Sequence, residues 1–231
     1  MGDKAPRQLL AEAIGAFTLS FAGGGAVMLA NGNTNVTLVG VALAHGLAIG
    51  LMVLALGGVS GGHFNPAVTI GFWVTRRIAT VLAAGYVVAQ LLGAVVAGLL
   101  LFLLFPEGLR TAAHLGTPTL GPATDFVHAV GIEAVLTFFL VTVIWGTAVD
   151  PRGPSGIAGL AIGLTISMDI LAAGPLTGAV MNPSRGFGTA LVSGYWNDQL
   201  VFWIGPVIGA VIAALLYHYV LIEEPMTSPA R

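Results

Sequence analysis

The stretch "SGGHFNPAVTIGFW" (residues 60–73) and the related stretch "TGAVMNPSRGFGTAL" (residues 177–191) both place Asn-Pro behind glycines in the middle of apolar sequence. Asparagine is a favoured N-cap of helices, and proline is favoured at their first position. Each pair therefore predicts a helix that begins at its proline, at Pro66 and at Pro183. A helix start surrounded by apolar sequence is unusual, and here it occurs twice.

The composition indicates an integral membrane protein. Of the 231 residues, 56% are hydrophobic and only 8% are charged, and the mean hydropathy is +0.94. A soluble domain carries about 25% charged residues. The net charge of −2 gives no reason to expect a nucleic-acid partner, and the absence of cysteine excludes thiol catalysis and cysteine-ligated metal sites. We expect no enzyme activity, no cofactor and no bound metal.

Six apolar segments have about the 20 residues that a spanning helix needs. They are residues 9–29, 36–56, 78–105, 127–149, 156–172 and 200–221. Two shorter apolar segments, 66–74 and 183–192, follow the Asn-Pro pairs and predict re-entrant half-helices, which require surrounding protein or a water-filled cavity. The expected fold is an all-α membrane protein with six transmembrane helices and two half-helices, forming one domain over residues 1–231.

The two halves of the chain resemble each other. Asn65 and Asn182 lie 117 residues apart, and "AEAIGAFTLSF" (11–21) is similar to "IEAVLTFFLV" (132–141). Each half, about 7–106 and about 126–222, holds three spans and one half-helix. Because three is odd, the second half enters from the opposite face, which predicts an inverted repeat with its functional site near the membrane midplane.

Two half-helices that start at the midplane turn their positive ends toward each other. With the amide donors of Asn65 and Asn182, this arrangement predicts a site that binds the oxygen of a neutral polar molecule and repels cations. Glu12 and Glu133 occupy matching positions inside the membrane. They are either proton-relay groups or, as we favour, acceptors for the buried N–H groups of the loops before the half-helices.

Basic residues predict the orientation. In a six-span arrangement, six of the eight lie on the side that holds both termini, which the positive-inside rule assigns to the cytoplasm. These six are Lys4, Arg7, Arg76, Arg77, Arg152 and Arg231. Arg110 lies on the other side, and Arg185 lies within the membrane, three residues after Asn182, where a charge is costly and usually functional.

"GGHFNPAVT" and "MNPSRGFG", on six spans in two inverted halves, resemble the aquaporins, the major intrinsic protein family, over about residues 7–221. The resemblance implies a right-handed bundle, a pore in each subunit and a homotetramer in the bilayer of the cell membrane. The implied pore motifs are Asn65, Pro66, Ala67 and Asn182, Pro183, Ser184, with serine at 184 where the family usually has alanine. The implied permeants are water and small neutral solutes.

The resemblance also implies a selectivity filter made of His45, Ile170, Ala179 and Arg185, and it places His63 at the inner vestibule. Gly186 and Ala190 stand where glycerol facilitators usually have an aspartate and a basic residue, so the chain is similar to the water-channel branch. The combination of His, Ile, Ala and Arg resembles tonoplast aquaporins, a branch associated with ammonia or urea. We expect His45 and Arg185 to act as donors in a wide, partly apolar filter.

The predicted function is thus a passive water channel that excludes protons and ions. The alternatives are an ammonia, urea or glycerol facilitator, an ion-coupled secondary transporter with inverted repeats, and a structural junction protein of the same fold. The sequence leaves the roles of two residues undecided. Asp169 has three alternative roles: to fix Arg185, to support a loop or to cap its span. His114 is either solvated in the outer loop or reaches the pore mouth.

Overall fold

The computed structural model describes residues 3–32 and 34–222, and within these ranges it contains helices and no strands. The helices are α1 (Ala5–Asn31), α2 (Leu38–Ser60), α3 (Pro66–Val74), α4 (Thr80–Leu104), α5 (Glu107–Ala112), α6 (Phe126–Ile144), α7 (Ala158–Thr177), α8 (Pro183–Ser193) and α9 (Val201–Leu216). The π-helical turns Trp145–Val149 and Tyr217–Leu221 lengthen α6 and α9. Six helices of the described ranges are long and apolar enough to cross a membrane, which confirms the predicted all-α membrane fold.

The half-helices α3 and α8 begin at the two prolines of the Asn-Pro pairs, as predicted. They contain 9 and 11 residues, about half of what a crossing requires. Each packs against the last spanning helix of the other half, α3 against α9 and α8 against α4. The half-helices therefore interlock the two halves of the chain.

The helices before the two half-helix loops are longer than predicted. Helix α2 ends at Ser60 instead of residue 56, and α7 ends at Thr177 instead of residue 172. Both end in a left-handed glycine, Gly61 with φ 93° and Gly178 with φ 87°. Glycine and proline interrupt the apolar pattern before these points, but the backbone hydrogen bonds continue to the glycine caps.

The two halves pack in the same way. Helix α1 contacts α2 and α4, and α6 correspondingly contacts α7 and α9. Where α2 crosses α7, a Cβ on Gly50 would lie 2.9 Å from the carbonyl oxygen of Gly159, and a Cβ on Gly163 would overlap or nearly touch the backbone of α2. Glycines on both helices thus allow direct backbone contact, as is common between helices in membranes.

The predicted basic side of the protein corresponds to one end of the bundle. Arg77, in the turn after α3, lies 3.3 Å from Nδ1 of His218 in the turn after α9. Arg152, in the α6–α7 connection, donates to the carbonyl oxygen of Leu221 at 2.8 Å. The two connections and the end of the last helix therefore lie together. Arg231, which entered the charge argument, lies outside the described residues.

The α6–α7 connection is held by one ion pair. Arg152 donates through Nε to Oδ1 of Asp150 at 3.0 Å and through Nη2 to Oδ2 at 2.7 Å. Such a two-pronged contact is the stronger form of an arginine–carboxylate pair. The Arg152 guanidinium and its backbone N–H hold the pKa of the Asp150 carboxyl at about 2, below its usual 3.8. The pair links the α6–α7 connection to the end of α9.

Replacing Asp150 by asparagine is expected to lower the melting temperature of the detergent-solubilised protein at neutral pH. Because the pKa is depressed in the fold, the stabilisation is complete above pH 3.8 and is lost as the pH falls through about 2. The difference in melting temperature between wild type and variant should therefore shrink with acidification, which tryptophan fluorescence during heating would show. Asp198→Asn, at an exposed aspartate, is the control. A difference that stays constant down to pH 2 would contradict this assignment.

Candidate functional site

The first turns of α3 and α8 are joined through their capping asparagines. Oδ1 of Asn65 accepts from the N–H of Ala67 at 2.8 Å, and its Nδ2 donates to the carbonyl oxygen of Met181 at 2.8 Å. Asn182 does the same in reverse, donating through Nδ2 to the carbonyl oxygen of Phe64 at 2.9 Å. An amide nitrogen has two N–H groups. Each asparagine thus keeps one N–H that these contacts do not use.

Serine at position 184 strengthens the second cap. The backbone N–H and the hydroxyl of Ser184 both donate to Oδ1 of Asn182, at 3.1 and 2.7 Å. Ser184 is completely buried, so its hydroxyl holds Asn182 and does not line the cavity. Pro66, Ala67 and Pro183 are buried beside the two caps.

Glu12 organises the loop before α3. Its Oε1 accepts from the hydroxyl of Ser60 at 2.6 Å and from the N–H of His63 at 3.0 Å. Its Oε2 accepts from the N–H of Phe64 at 2.6 Å and from Nε2 of Gln90 at 2.7 Å. All four donors are buried with the carboxylate, so the carboxylate fixes the course of the loop.

Glu133 does the same for the loop before α8. It accepts from the hydroxyl of Thr177 at 2.7 Å and from the N–H groups of Val180 and Met181 at 2.8 and 2.7 Å. These donors stand 117 residues after their counterparts at positions 60, 63 and 64. The donor from Gln90 has no counterpart, and sequence reasoning missed this residue because a single glutamine in a span carries no pattern.

Each loop residue before a capping asparagine connects both networks. Phe64 donates its N–H to Glu12, and its carbonyl oxygen accepts from Asn182. Met181 correspondingly donates to Glu133 and accepts from Asn65. Both residues have left-handed backbone, with φ of 49° and 51°, which is strained for residues other than glycine. The glutamates therefore hold the strained carbonyls on which the asparagines depend.

The arrangement of His45 and Arg185 differs from the expected one. Nε of Arg185 lies 3.2 Å from Nε2 of His45, and Nδ1 of His45 lies 2.8 Å from the carbonyl oxygen of Val41. A guanidinium can only donate hydrogen bonds, so Nε2 of His45 is the acceptor. The ring proton is then on Nδ1, which donates a hydrogen bond to the carbonyl oxygen of Val41. The prediction that His45 is a donor to permeants is therefore wrong, since His45 has no N–H left to offer.

Two cavities reach the four predicted filter positions. The central cavity is lined by His45, Ala179 and both capping asparagines, and by His63. A second cavity, the filter-side cavity, is lined by Ile170 and Arg185. The wall of the central cavity opposite its polar groups is apolar, formed by Leu19, Ile49, Leu140, Ile162 and Ile166 among others. Two of the four predicted filter residues thus line each cavity, and the contact between His45 and Arg185 joins the two pairs.

The guanidinium of Arg185 lines the filter-side cavity and keeps N–H groups that its contact with His45 does not use. Arg185 is 4% exposed, and its Nη1 is enclosed by protein without a hydrogen-bond partner among the described residues. A buried guanidinium nitrogen without a partner is costly unless water binds it.

Asp169 and His114, whose roles the sequence leaves undecided, have different environments in the structure. Asp169 is fully buried, but neither carboxylate oxygen has a hydrogen-bond partner within the described ranges, so Asp169 does not fix Arg185 by a hydrogen bond. His114 is exposed and stacks on Tyr195 with ring centroids 4.0 Å apart. It lines neither the central nor the filter-side cavity.

The position of His45 depends on Gly23, which sequence reasoning missed. A Cβ added to Gly23 would overlap the imidazole ring of His45. The ring therefore lies directly on the backbone of α1. The signal in the sequence was the run of three glycines at 23–25 inside a span, but the run alone does not say which glycine faces a functional side chain.

His63 lies beside the half-helix that it precedes. Its Nδ1 is 3.1 Å from the hydroxyl of Thr69, and its ring lies between the rings of Phe72 and Tyr86, with centroids 4.2 and 5.2 Å away. It is 8% exposed and lines the central cavity. Within the described part of the chain, no group of three or more histidine or acidic side chains could hold a metal ion.

Comparison with known proteins gives matches along nearly the whole chain. Residues 3–217 match the family described as Major intrinsic protein. The chain is 46% identical over 220 residues to Aquaporin TIP4-4 of Zea mays, covering 91% of this chain and 85% of that protein. It is 43% identical over 215 residues to Aquaporin NIP1-1 of Zea mays, covering 93% and 74%. The X-ray structure of the aquaglyceroporin from Plasmodium falciparum matches with a TM-score of 0.81 at 28% identity, covering 94% of this chain and 97% of that one.

Proposed function

Since the chain belongs to the major intrinsic protein family, it is a multi-pass membrane channel for water and small solutes and not an enzyme, and we propose that it conducts water passively while excluding protons and ions. The predicted family resemblance, including its tonoplast-type side, is confirmed by these matches. The observation that carries the proposal is the pair of capping asparagines, Asn65 and Asn182, each with one uncommitted N–H at an otherwise largely apolar cavity.

This arrangement opposes proton transfer. A water molecule between Asn65 and Asn182 turns its oxygen toward their N–H groups, so its hydrogens point away along the cavity in both directions. A continuous chain of waters with one orientation, which proton hopping requires, is then interrupted. The positive ends of α3 and α8 and the charge of Arg185 add an electrostatic barrier to cations.

The contacts of Glu12 and Glu133 favour an uncoupled channel over a secondary transporter. A transporter needs a site that binds and releases its coupling ion or proton. Each oxygen of these two carboxylates accepts from at least one buried donor of a half-helix loop, so they serve the loops as acceptors. Coupling through either residue would require the half-helix loops to come apart in every cycle.

Stopped-flow light scattering of proteoliposomes tests the proposal. Water flux is expected to be nonsaturating, to have an activation energy close to that of diffusion, and to be independent of sodium and pH gradients. Proton conductance should not exceed that of empty liposomes. Saturable flux that requires an ion gradient would establish the transporter alternative.

We further propose that the filter passes ammonia and excludes most glycerol. Ile170 offers an apolar wall, Ala179 leaves space, and His45 accepts from Arg185 without presenting an N–H, so the guanidinium of Arg185 is the main donor. A permeant with several hydroxyls would lose more hydrogen bonds to water at such a filter than ammonia does. The relatives are named as a TIP aquaporin, a NIP aquaporin and an aquaglyceroporin. These names describe those proteins, so the solutes that this chain conducts have to be measured.

The double substitution His45→Phe with Ile170→His is expected to keep water flux and reduce ammonia flux several-fold. Phenylalanine frees Nε of Arg185, and histidine at 170 adds a second donor, so the filter becomes narrower and more polar. Vesicle alkalinisation under an ammonium gradient measures the ammonia flux. If wild type shows no ammonia flux above empty liposomes, the selectivity proposal fails while the water-channel proposal stands.

The assembly and orientation are proposals of the same kind. We propose a homotetramer in the cell membrane with both termini in the cytoplasm, built from two inverted repeats of about residues 7–106 and 126–222. Family membership supports the tetramer, and the joint location of Arg77, Arg152 and the end of α9 supports a single basic side. Labelling of a cysteine introduced into the α6–α7 connection, from either side of sealed vesicles, tests the orientation.

A further inference from the structure

A groove runs along the outside of the bundle between α3 and α4. Its lining is almost wholly apolar, and it is open to the surroundings of the protein. The residues that form it are Thr69, Ile70, Trp73, Thr80, Ala83, Ala84 and Val87. Along α4 the groove extends from Thr80 to Val87, about 10 Å at a rise of 1.5 Å per residue. The small side chains of Ala83 and Ala84 leave this space on the surface of α4.

The end of the groove carries positive charge. Arg76 and Arg77 belong to the turn that connects α3 to α4, and both are exposed. This turn lies between Trp73 and Thr80, the groove residues at the ends of the two helices, and Nε1 of Trp73 donates to the hydroxyl of Thr80 at 3.0 Å. The turn that carries the two arginines therefore lies at this end of the groove, and both side chains are exposed there. Between Pro66 and Phe105, the segment that contains both groove helices, there is no acidic residue.

The chemistry of this site is that of an acidic lipid. A partly exposed tryptophan, 45% exposed here, is typical of the boundary between lipid chains and headgroups. Arginine binds phosphate through several N–H groups in one plane, and Arg77 keeps further donors beyond the one directed at His218. We propose that the groove holds one acyl chain of an anionic phospholipid whose phosphate is bound by Arg76 and Arg77.

The arginine pair decides between this occupant and a second copy of the chain. A bare apolar groove would suit any lipid chain or a neighbouring helix. A helix of a second copy would bring its apolar surface against two arginines, whereas an anionic headgroup brings the opposite charge to them. The groove shares no lining residue with the central cavity, and only Thr69 connects it to the network around His63.

Native mass spectrometry of the purified full-length protein tests the proposal by titration with phosphatidylglycerol and with phosphatidylcholine. We expect the first bound phosphatidylglycerol to be held more tightly than phosphatidylcholine. The double variant Arg76→Gln/Arg77→Gln should bind it about 25- to 30-fold more weakly, since each basic residue at a membrane surface contributes about a factor of 5. Arg7→Gln, at an exposed arginine of α1 outside the turn that joins the two groove helices, should bind as wild type does.

A second variant blocks the acyl chain and leaves the charges in place. Ala84→Leu fills the groove and should weaken binding of phosphatidylglycerol to a similar extent. Val88→Leu is the matched control, because Val88 is 56% exposed on the same helix and does not line the groove. Equal affinity for both lipids, or equal effects of all these variants, would mean ordinary surrounding lipid only and would overturn the proposal.

The absence of native cysteine allows a direct test for the competing occupant. A single cysteine in place of Ala84 should form no disulfide-linked dimers in liposomes under mild oxidation if lipid fills the groove. Efficient cross-linking between copies would show that a second chain covers it. That result would overturn the lipid site, and the water-flux test of the channel would be unaffected.

Discussion

Replacing Glu133 by glutamine is expected to eliminate most of the folded, conducting protein. The carboxylate accepts from three buried donors, two of them backbone N–H groups that turn the loop into α8. Glutamine has one acceptor oxygen, and its NH₂ group would face a donor. At least one buried N–H would lose its partner, at about 1–3 kcal/mol for each lost bond. Met181 would also lose the contact that holds its strained backbone.

The consequence reaches the other half of the channel. The carbonyl oxygen of Met181 accepts from Asn65, so a displaced Met181 releases the amide that faces the central cavity. We therefore expect a strongly reduced yield of monodisperse protein in size-exclusion chromatography, and water flux near that of empty liposomes for what is recovered. Glu107→Gln, at an exposed acid, is the matched control. Wild-type yield and flux in Glu133→Gln would contradict the role assigned to this carboxylate.

The half-helices could be predicted because their starts are encoded locally. An asparagine caps each half-helix, at Asn65 and Asn182, and a proline begins it, at Pro66 and Pro183. Both residue types favour these positions by their own chemistry, whatever surrounds them. The occurrence of a glutamate at matching positions, Glu12 and Glu133, likewise predicted two hydrogen-bond acceptors with the same role. Both loops contain the same backbone N–H groups that need an acceptor. In these cases the physical reason for a residue lies within a few positions of it, or in its copy in the other half.

The hydrogen bonding of the filter could not be predicted in this way. Which nitrogen of His45 carries the proton depends on the carbonyl of Val41 one turn earlier and on Arg185, 140 residues later. The dependence on Gly23 arises from contact between two helices, which no local pattern describes. The family resemblance gave the filter positions but not the direction of their hydrogen bonds. Neither the sequence nor the packing explains why Asp169 is buried without a hydrogen-bond partner among the described residues.

Replacing Gly23 by alanine is expected to reduce water flux at least ten-fold while the protein still folds. The new methyl group would overlap the ring of His45, which is held on two sides by Val41 and Arg185. The ring must then move away from α1 toward the boundary of the two cavities, and the contact with Nε of Arg185 breaks. Overpacking of this kind costs about 1–3 kcal/mol. The strain falls on a side chain that borders a cavity, and the buried backbone hydrogen bonds of the half-helix loops stay intact, so we expect the fold to persist.

Two comparisons separate this effect from a general loss of packing. Gly25→Ala, on the same helix, places its methyl 3.1 Å from the tip of the Phe105 ring, which is free to adjust, so flux should stay within about two-fold of wild type. His45→Ala removes the ring that the methyl would strike. In the double variant Gly23→Ala/His45→Ala the added methyl therefore has no target, and flux should equal that of His45→Ala alone. If the effect of Gly23→Ala persists unchanged in the His45→Ala background, it acts through another contact, and the filter does not depend on Gly23.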